Sequence, residues 1–165
     1  MQYGDIVAFL TGDPAKGIIG KYAPHIKLDL IPYLYTMTFS ALAPAGTATQ
    51  PLSIAVNADF LFVELRSRAN VAAAAQTVPT ATLPLVRALI TDSGSNDQCS
   101  NAICDLTLQA SFGVNGNYAS NGHLYCPRLI SGRSAVSVQL TNFDAAATYN
   151  IDVVLAGVLV RALNA

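Results

Sequence analysis

The stretch IPYLYTMTFSALAPAGTATQPLSIAVNADFLFVEL, residues 31–65, decides the fold class. Within Tyr33–Ala41, Tyr35, Met37, Phe39 and Ala41 alternate with Leu34, Thr36, Thr38 and Ser40, a period of two with one mostly polar face. Such alternation marks a strand with one buried side. By composition APAGTATQP (43–51) is a loop. In Leu52–Leu65, Ile54, Val56, Ala58, Phe60 and Phe62 share one face, and Ser53, Ala55, Asn57, Asp59, Leu61 and Val63 share the other. The run is longer than an ordinary strand, so a bulge or corner is expected near Asn57–Asp59.

The same grammar continues downstream. RANVAAAAQT in the stretch Arg66–Thr82 predicts one or two helical turns, ended by Pro79 and Pro84. Leu83–Thr91 reads as a strand, and DSGSND (92–97) as a turn whose side chains cap their own backbone. Asp105–Phe112 alternates again, and Asn115–Gly116 is a hairpin signal. A short strand is expected around His123–Tyr125, then a turn at Ser131, Gly132 and Arg133. Ala135–Leu140 and Tyr149–Leu163 are strands on either side of the loop TNFDAAAT (141–148). Short strands at close spacing with polar, Gly-rich turns give an all-β fold: an antiparallel β-sandwich, jelly-roll-like. No fixed-period repeat points to a propeller or solenoid.

Upstream, the pattern changes. Asp5 to Leu10 has the character of a short helix that Gly12, Asp13, Pro14, Gly17 and Gly20 cannot continue. KYAPHIKLDL (21–30) is extended, with Pro24 biasing Ala23 away from helix. Residues 1–30 are therefore expected to form an extended N-terminal arm, lying on a neighbour or along the outside of the sandwich domain 31–165. An edge strand of the same domain is the competing expectation.

Composition limits the function classes. At 165 residues the chain is long enough for one domain with a real core. Only 12% of residues are charged, about half the usual share. A surface so short of charge is expected to be covered by other chains, with a neutral polar surface as the alternative. A net charge of −1 and scattered basic residues give no footprint for nucleic acid or an anionic membrane. No apolar run is long enough to span a bilayer, and MQYGDIVAFLTGD (1–13) lacks the basic start of a signal peptide. Three cysteines are too few, and odd in number, for a disulfide framework, which fits synthesis in a reducing compartment.

Several residue sets carry possible chemistry. Cys99, Cys104, His123 and Cys126 combine C-x4-C with H-x2-C, the ligand types zinc prefers. The plainer expectation is unliganded thiols and a solvent-facing histidine, with no metal and no cofactor; a Cys99–Cys104 disulfide is equally disfavoured. Asp92, Ser93, Ser95, Asn96 and Asp97 offer oxygens for calcium, yet no bidentate glutamate follows at the right distance, since Glu64 is the sole glutamate, and an ordinary polar turn is the plainer expectation. Asp59 and Glu64 are separated by an odd number of residues, so without a bulge they face opposite sides of a strand and cannot flank a glycoside. Asp59 is expected to have a packing role, paired with Arg66, Arg87 or Arg133 if it points inward. His25 and His123 lie in no nucleophile context, and GIIGK (17–21) lacks the length and hydroxyl of a P-loop. No catalytic set emerges, and the chain is not expected to be an enzyme.

Pro127–Ile130, Ser131-Gly132-Arg133-Ser134, Val136-Ser137-Val138-Gln139-Leu140-Thr141-Asn142-Phe143 and Tyr149-Asn150-Ile151-Asp152-Val153-Val154-Leu155-Ala156-Gly157 form a cadence. It resembles small virion proteins of tailed bacteriophages, and the run Phe62 to Asp92 is similar to their middle portion. The opening segment matches no part of that pattern. The resemblance is a loose cadence without a catalytic signature. It implies a jelly-roll-like structural protein that decorates or cements a capsid or connects virion parts. Such proteins are made in the host cytoplasm, reside in the virion, and act as oligomers, often trimers, bound to partners such as the major capsid protein. A carbohydrate- or receptor-binding module of a fibre or cell surface is the alternative. The absence of tryptophan counts against it, and seven tyrosines soften that objection.

Overall fold

The computed structural model describes residues 3–13, 18–72, 82–95, 97–106, 111–114, 117–118 and 123–163. One helix, α1 (Tyr3–Thr11), is followed by the short pair β1 (Gly12–Asp13) and β2 (Ile18–Ile19). The body of the fold is β3 (Lys27–Leu42), β4 (Thr47–Ser53), β5 (Asp59–Val71), β6 (Val86–Asp92), β7 (Asp97–Gln98), β8 (Cys104–Asp105), β9 (Ser111–Val114), β10 (Asn117–Tyr118), β11 (His123–Ile130), β12 (Ala135–Asn142) and β13 (Tyr149–Leu163).

These strands make two sheets. In the first, β13 lies between β3 and β5, antiparallel to both. The far side of β5 is shared by β11 along Phe60–Phe62 and, in parallel, by β9 at Arg66–Ser67. In the second, β12 lies between β4 and β6, and the far side of β6 is shared by β7 and β8. The sheet orders are thus β3-β13-β5-β11 and β4-β12-β6-β7/β8. Apart from the runs β6–β8 and β9–β11, which each stay in one sheet, consecutive strands alternate between sheets and the last strands return between the first, which is the double Greek-key winding of a jelly roll.

The alternation seen in the sequence is the cause of the sandwich. Tyr35, Met37 and Phe39 of β3, Phe60 and Phe62 of β5, and Ile151, Val153 and Leu155 of β13 point inward. They meet Val86, Ala88 and Ile90 of β6 and Val136, Val138 and Leu140 of β12 in one core. Each such aromatic or aliphatic side chain contributes about 1.5–3 kcal/mol by leaving water. Tyr35 spends its hydroxyl as it enters the core, accepting from the Ala55 N–H at 3.0 Å. Its ring meets Phe60 edge-on at 4.9 Å.

Residues 52–65 do not form one strand. The chain leaves β4 after Ser53, turns through 54–58, and enters the other sheet as β5 at Asp59, so the expected corner is present. The bulge lies further on, where register slips between Ala156 opposite Glu64 and Gly157 opposite Phe62, leaving Val63 as the extra residue. Gly157 is required there, since a Cβ would stand 2.0 Å from the Leu61 carbonyl oxygen.

The one or two helical turns expected from RANVAAAAQT are corrected at Arg68–Val71. Arg66–Val71 continue β5, because Leu65, Ser67 and Ala69 are buried while Arg66 and Arg68 are exposed. That period of two overrides the helix propensity of the alanines; 73–81 lie outside the described residues. Of the expected strand Asp105–Phe112, Asp105 is in β8 and Ser111–Phe112 in β9, while 107–110 lie outside the described residues. β9 and β10 pair antiparallel; the Asn115–Gly116 signal between them lies outside the described residues.

The N-terminal segment is folded onto the outer face of the first sheet. Leu10 of α1 is buried with Leu61 of β5 and Val160 of β13, and Ile6, Tyr22, Val63, Leu129 and Val158 pack around them. Asp5 in the first turn suits the helix dipole, and Gly12, with φ 73°, ends the helix in the left-handed conformation. Of the expected extended arm, Lys27–Leu30 are already part of β3, so the boundary drawn between 30 and 31 falls within a strand. No helix among the described residues is long and apolar enough to cross a membrane.

Candidate functional site

The densest polar cluster gathers around Asp59. As the first residue of β5 it shares the outer face with Leu61 and Val63, the face covered by the N-terminal segment. Lys21 brings Nζ to 2.8 Å from one carboxylate oxygen, and the Tyr22 hydroxyl donates to the same oxygen. The other oxygen accepts the Gly132 N–H at 2.8 Å, from the turn between β11 and β12. Lys21 also donates to the Ser131 hydroxyl at 3.2 Å. Three segments distant in sequence are therefore fastened at one carboxylate. The expected arginine partners are not used, because Asp59 faces outward rather than into the core.

Electrostatics hold this latch in one state. Burial pushes the Asp59 carboxyl up, but the hydrogen bonds from Lys21, Tyr22 and Gly132 outweigh it and leave the group below its ordinary value. Burial, reinforced by the hydrogen bond to Asp59 and its charge, pushes Tyr22 well above the ordinary phenol range. Asp59 is thus an ionised acceptor at neutral pH and Tyr22 a neutral donor.

Two open cavities flank the latch. One, about 450 Å³, is lined by Lys21, Tyr22, Asn57, Asp59 and Arg133 among others. The other, about 390 Å³, is lined by Asp92, Ser95, Pro127, Arg128 and Leu129, and Ser131 borders both. Arg133 sits at the rim with φ 68°, a left-handed conformation uncommon for its residue type. Neither lining described contains a histidine, and both Asp59 oxygens are already engaged. Asp92 is spent on its own turn, accepting from the Gly94 N–H at 2.9 Å and the Ser95 hydroxyl at 3.0 Å.

Of the zinc candidates, Cys99 and Cys104 have described side chains. Cys99 follows β7, its N–H bonded to the Ile90 carbonyl at 2.9 Å, and Cys104 stands opposite Ala88. Both belong to the second sheet, whereas His123 and Cys126 are carried by β11 of the first; the side chains of those two lie outside the described residues. Burial pushes the Cys99 thiol up more strongly than the Arg128 guanidinium draws it down. Among the described residues no group of three or more His, Cys, Asp or Glu is placed to hold a metal.

Of the calcium candidates, Asp92 and Ser95 cap the turn and the Ser93 hydroxyl accepts the Ala135 N–H at 2.9 Å. The side chains of Asn96 and Asp97 lie outside the described residues. The bulge at Val63 corrects the expectation for Asp59 and Glu64, which it places on the same, outer face. Five residues of strand still separate them by roughly 16 Å at ~3.3 Å per residue, beyond the ~5–9.5 Å of glycosidase pairs. Glu64 instead pairs with Arg66 at 2.9 Å. His25 is exposed in the turn before β3. Lys21, dismissed with GIIGK, and Tyr22 are the site residues that sequence reasoning missed, since nothing local signals a partner at Asp59 or Ser131.

Comparison with known proteins returns no matching family model, no matching curated protein and no matching solved structure.

Proposed function

We propose that this domain is a non-catalytic structural subunit of a bacteriophage virion, decorating or stabilising the capsid or connecting virion parts by assembling with copies of itself and with other virion proteins. The observation that carries the reading is its surface. A chain with 12% charged residues exposes Leu34 at 56% and Val56 at 67%, together with Leu83, Leu85 and Phe143. Apolar groups left outside so little charge are suited to burial against other chains. The virion attribution rests on the sequence cadence from Phe62 to Gly157. The polar groups of the latch, each already partnered, fit a structural role.

The alternative is a carbohydrate- or receptor-binding module, favoured by the two cavities around Ser131 with Lys21, Tyr22, Arg128 and Arg133 on their walls. Light scattering of the purified chain separates the readings. A defined oligomer at micromolar concentration is the expected result. A single-chain mass at every concentration, with saturable binding to one sugar on a glycan array, would overturn the structural reading in favour of the second.

A further inference from the structure

β3 and β4 are the outer strands of their sheets and lie on the same side of the sandwich, where Gln50 Nε2 of β4 donates to the Thr38 carbonyl of β3 at 2.7 Å. From Leu30 to Ala58 the chain has no Asp, Glu, Lys, Arg or His, and that span holds all of β4 and all but the first three residues of β3. The opposite side carries Arg87, Asp97, Asp105 and Arg128 on β6, β7, β8 and β11.

Edge strands of monomeric proteins are normally kept short or defended by charge, because their open backbone groups template pairing. β3 is sixteen residues long. Its defences are local: Pro32, which has no N–H to offer, Gln50 over the Thr38 carbonyl, and a bulge at Ala41 with φ 52°. The Thr38 carbonyl faces the open side, and in an extended strand a residue's N–H and C=O point the same way and alternate along the chain. The backbone groups of Leu34 and Thr36 therefore face outward too. Among the described residues, no hydrogen bond from another element reaches them. Tyr33 and Leu34 beside them are 43% and 56% exposed.

We infer that this uncovered stretch of β3 pairs with the same stretch of a second copy of this chain, antiparallel about a two-fold axis at Tyr35. Leu34 of each copy then stands opposite Thr36 of the other, exchanging both backbone hydrogen bonds in each pair and joining the two first sheets into one. A two-fold contact sets a surface against itself, so a charge at the axis would face its like. The charge-free stretch can meet its own copy without like-charge repulsion, and it offers nothing to steer a charged partner of another kind. The inference rests on the proposed self-assembly and adds its surface.

Thr36→Pro is the test. The substitution removes an outward N–H, leaves the bonds to β13 in place, and asks of Tyr35 only the extended conformation it already has. In sedimentation over a range of concentrations the variant is expected to dissociate at least 100-fold more readily than wild type, with an unchanged circular dichroism spectrum. Thr36→Val, which keeps the N–H, is expected to associate like wild type. If Thr36→Pro does not fold, Thr36→Lys reads the same contact through repulsion at the axis. A wild-type oligomer, trimeric or otherwise, that persists in the proline and lysine variants would overturn this surface and leave self-assembly standing. A monomeric wild type would overturn both.

Discussion

The two sides of the sandwich close their sheets in different ways. On the β11, β7 and β8 side, each edge is built from short pieces and charges. Arg87 pairs with Asp105 at 3.1 Å and lies 4.6 Å over the Phe143 ring, and Arg128 reaches the Gln98 carbonyl at 3.3 Å. On the β3 and β4 side the span Leu30–Ala58 carries no charge, and one long strand forms the border. Short strands and charges guard an edge against pairing, and their absence leaves one available. The difference is that of a side facing water and a side suited to a partner.

The neutral side is held instead by a buried amide. Asn142, fully buried at the end of β12, donates to the carbonyls of Leu42, Ala43 and Ala147 at 3.2, 3.1 and 2.8 Å, and accepts from the Asp144 N–H at 2.9 Å. It ties the β3–β4 corner to the loop before β13. Asn142→Ala would take this donor from the Leu42 and Ala147 carbonyls and the acceptor from the Asp144 N–H, while the Ala43 carbonyl keeps the Gly46 N–H, at about 1–3 kcal/mol for each group that water does not reach. The largest expected effect is thus a loss of about 3 kcal/mol or more in chemical denaturation. A loss below about 1 kcal/mol would mean that the corner does not depend on this residue.

The charged side should respond far less. Arg87 and Asp105 are both more than two-fifths exposed, and an ion pair in water is worth about 0–1 kcal/mol. Arg87→Ala is expected to cost less than about 1 kcal/mol, with a gap to wild type that narrows in 1 M salt as screening removes the pair's contribution. A cost similar to that of Asn142→Ala would erase the contrast between the two sides.

Much of this architecture was legible in the residues. Tyr149–Leu163 is β13 from end to end, and Ala135–Leu140 and Leu83–Thr91 locate β12 and β6 to within a few residues, because inward Val, Ile and Leu leave an unbroken period of two. The misreadings occur where two local rules compete. In β5 the buried set changes parity between Phe62 and Leu65, a step of three that is itself the trace of the Val63 bulge. Read as a strict alternation, it assigned Asp59 and Glu64 to opposite faces. The alanines after Asn70 then drew Arg68–Val71 toward helix, although Arg66, Arg68 and Asn70 already alternated with Ser67 and Ala69. The latch was not legible at all. Lys21 and Asp59 are joined only when α1 packs its Leu10 against Leu61 and Val160, a contact that no periodicity encodes.

The most direct test of the account is amide hydrogen exchange of the wild-type protein at low and high concentration, resolved to single residues. Among the described residues the outward N–H groups of Leu34 and Thr36 meet no acceptor of a lone chain, so in that state they are expected to exchange fast. The account predicts that both become protected as concentration rises, while amides along β7, β8 and β11 keep their rates. Equal exchange at Leu34 and Thr36 at all concentrations, or new protection confined to the charged side, would contradict it.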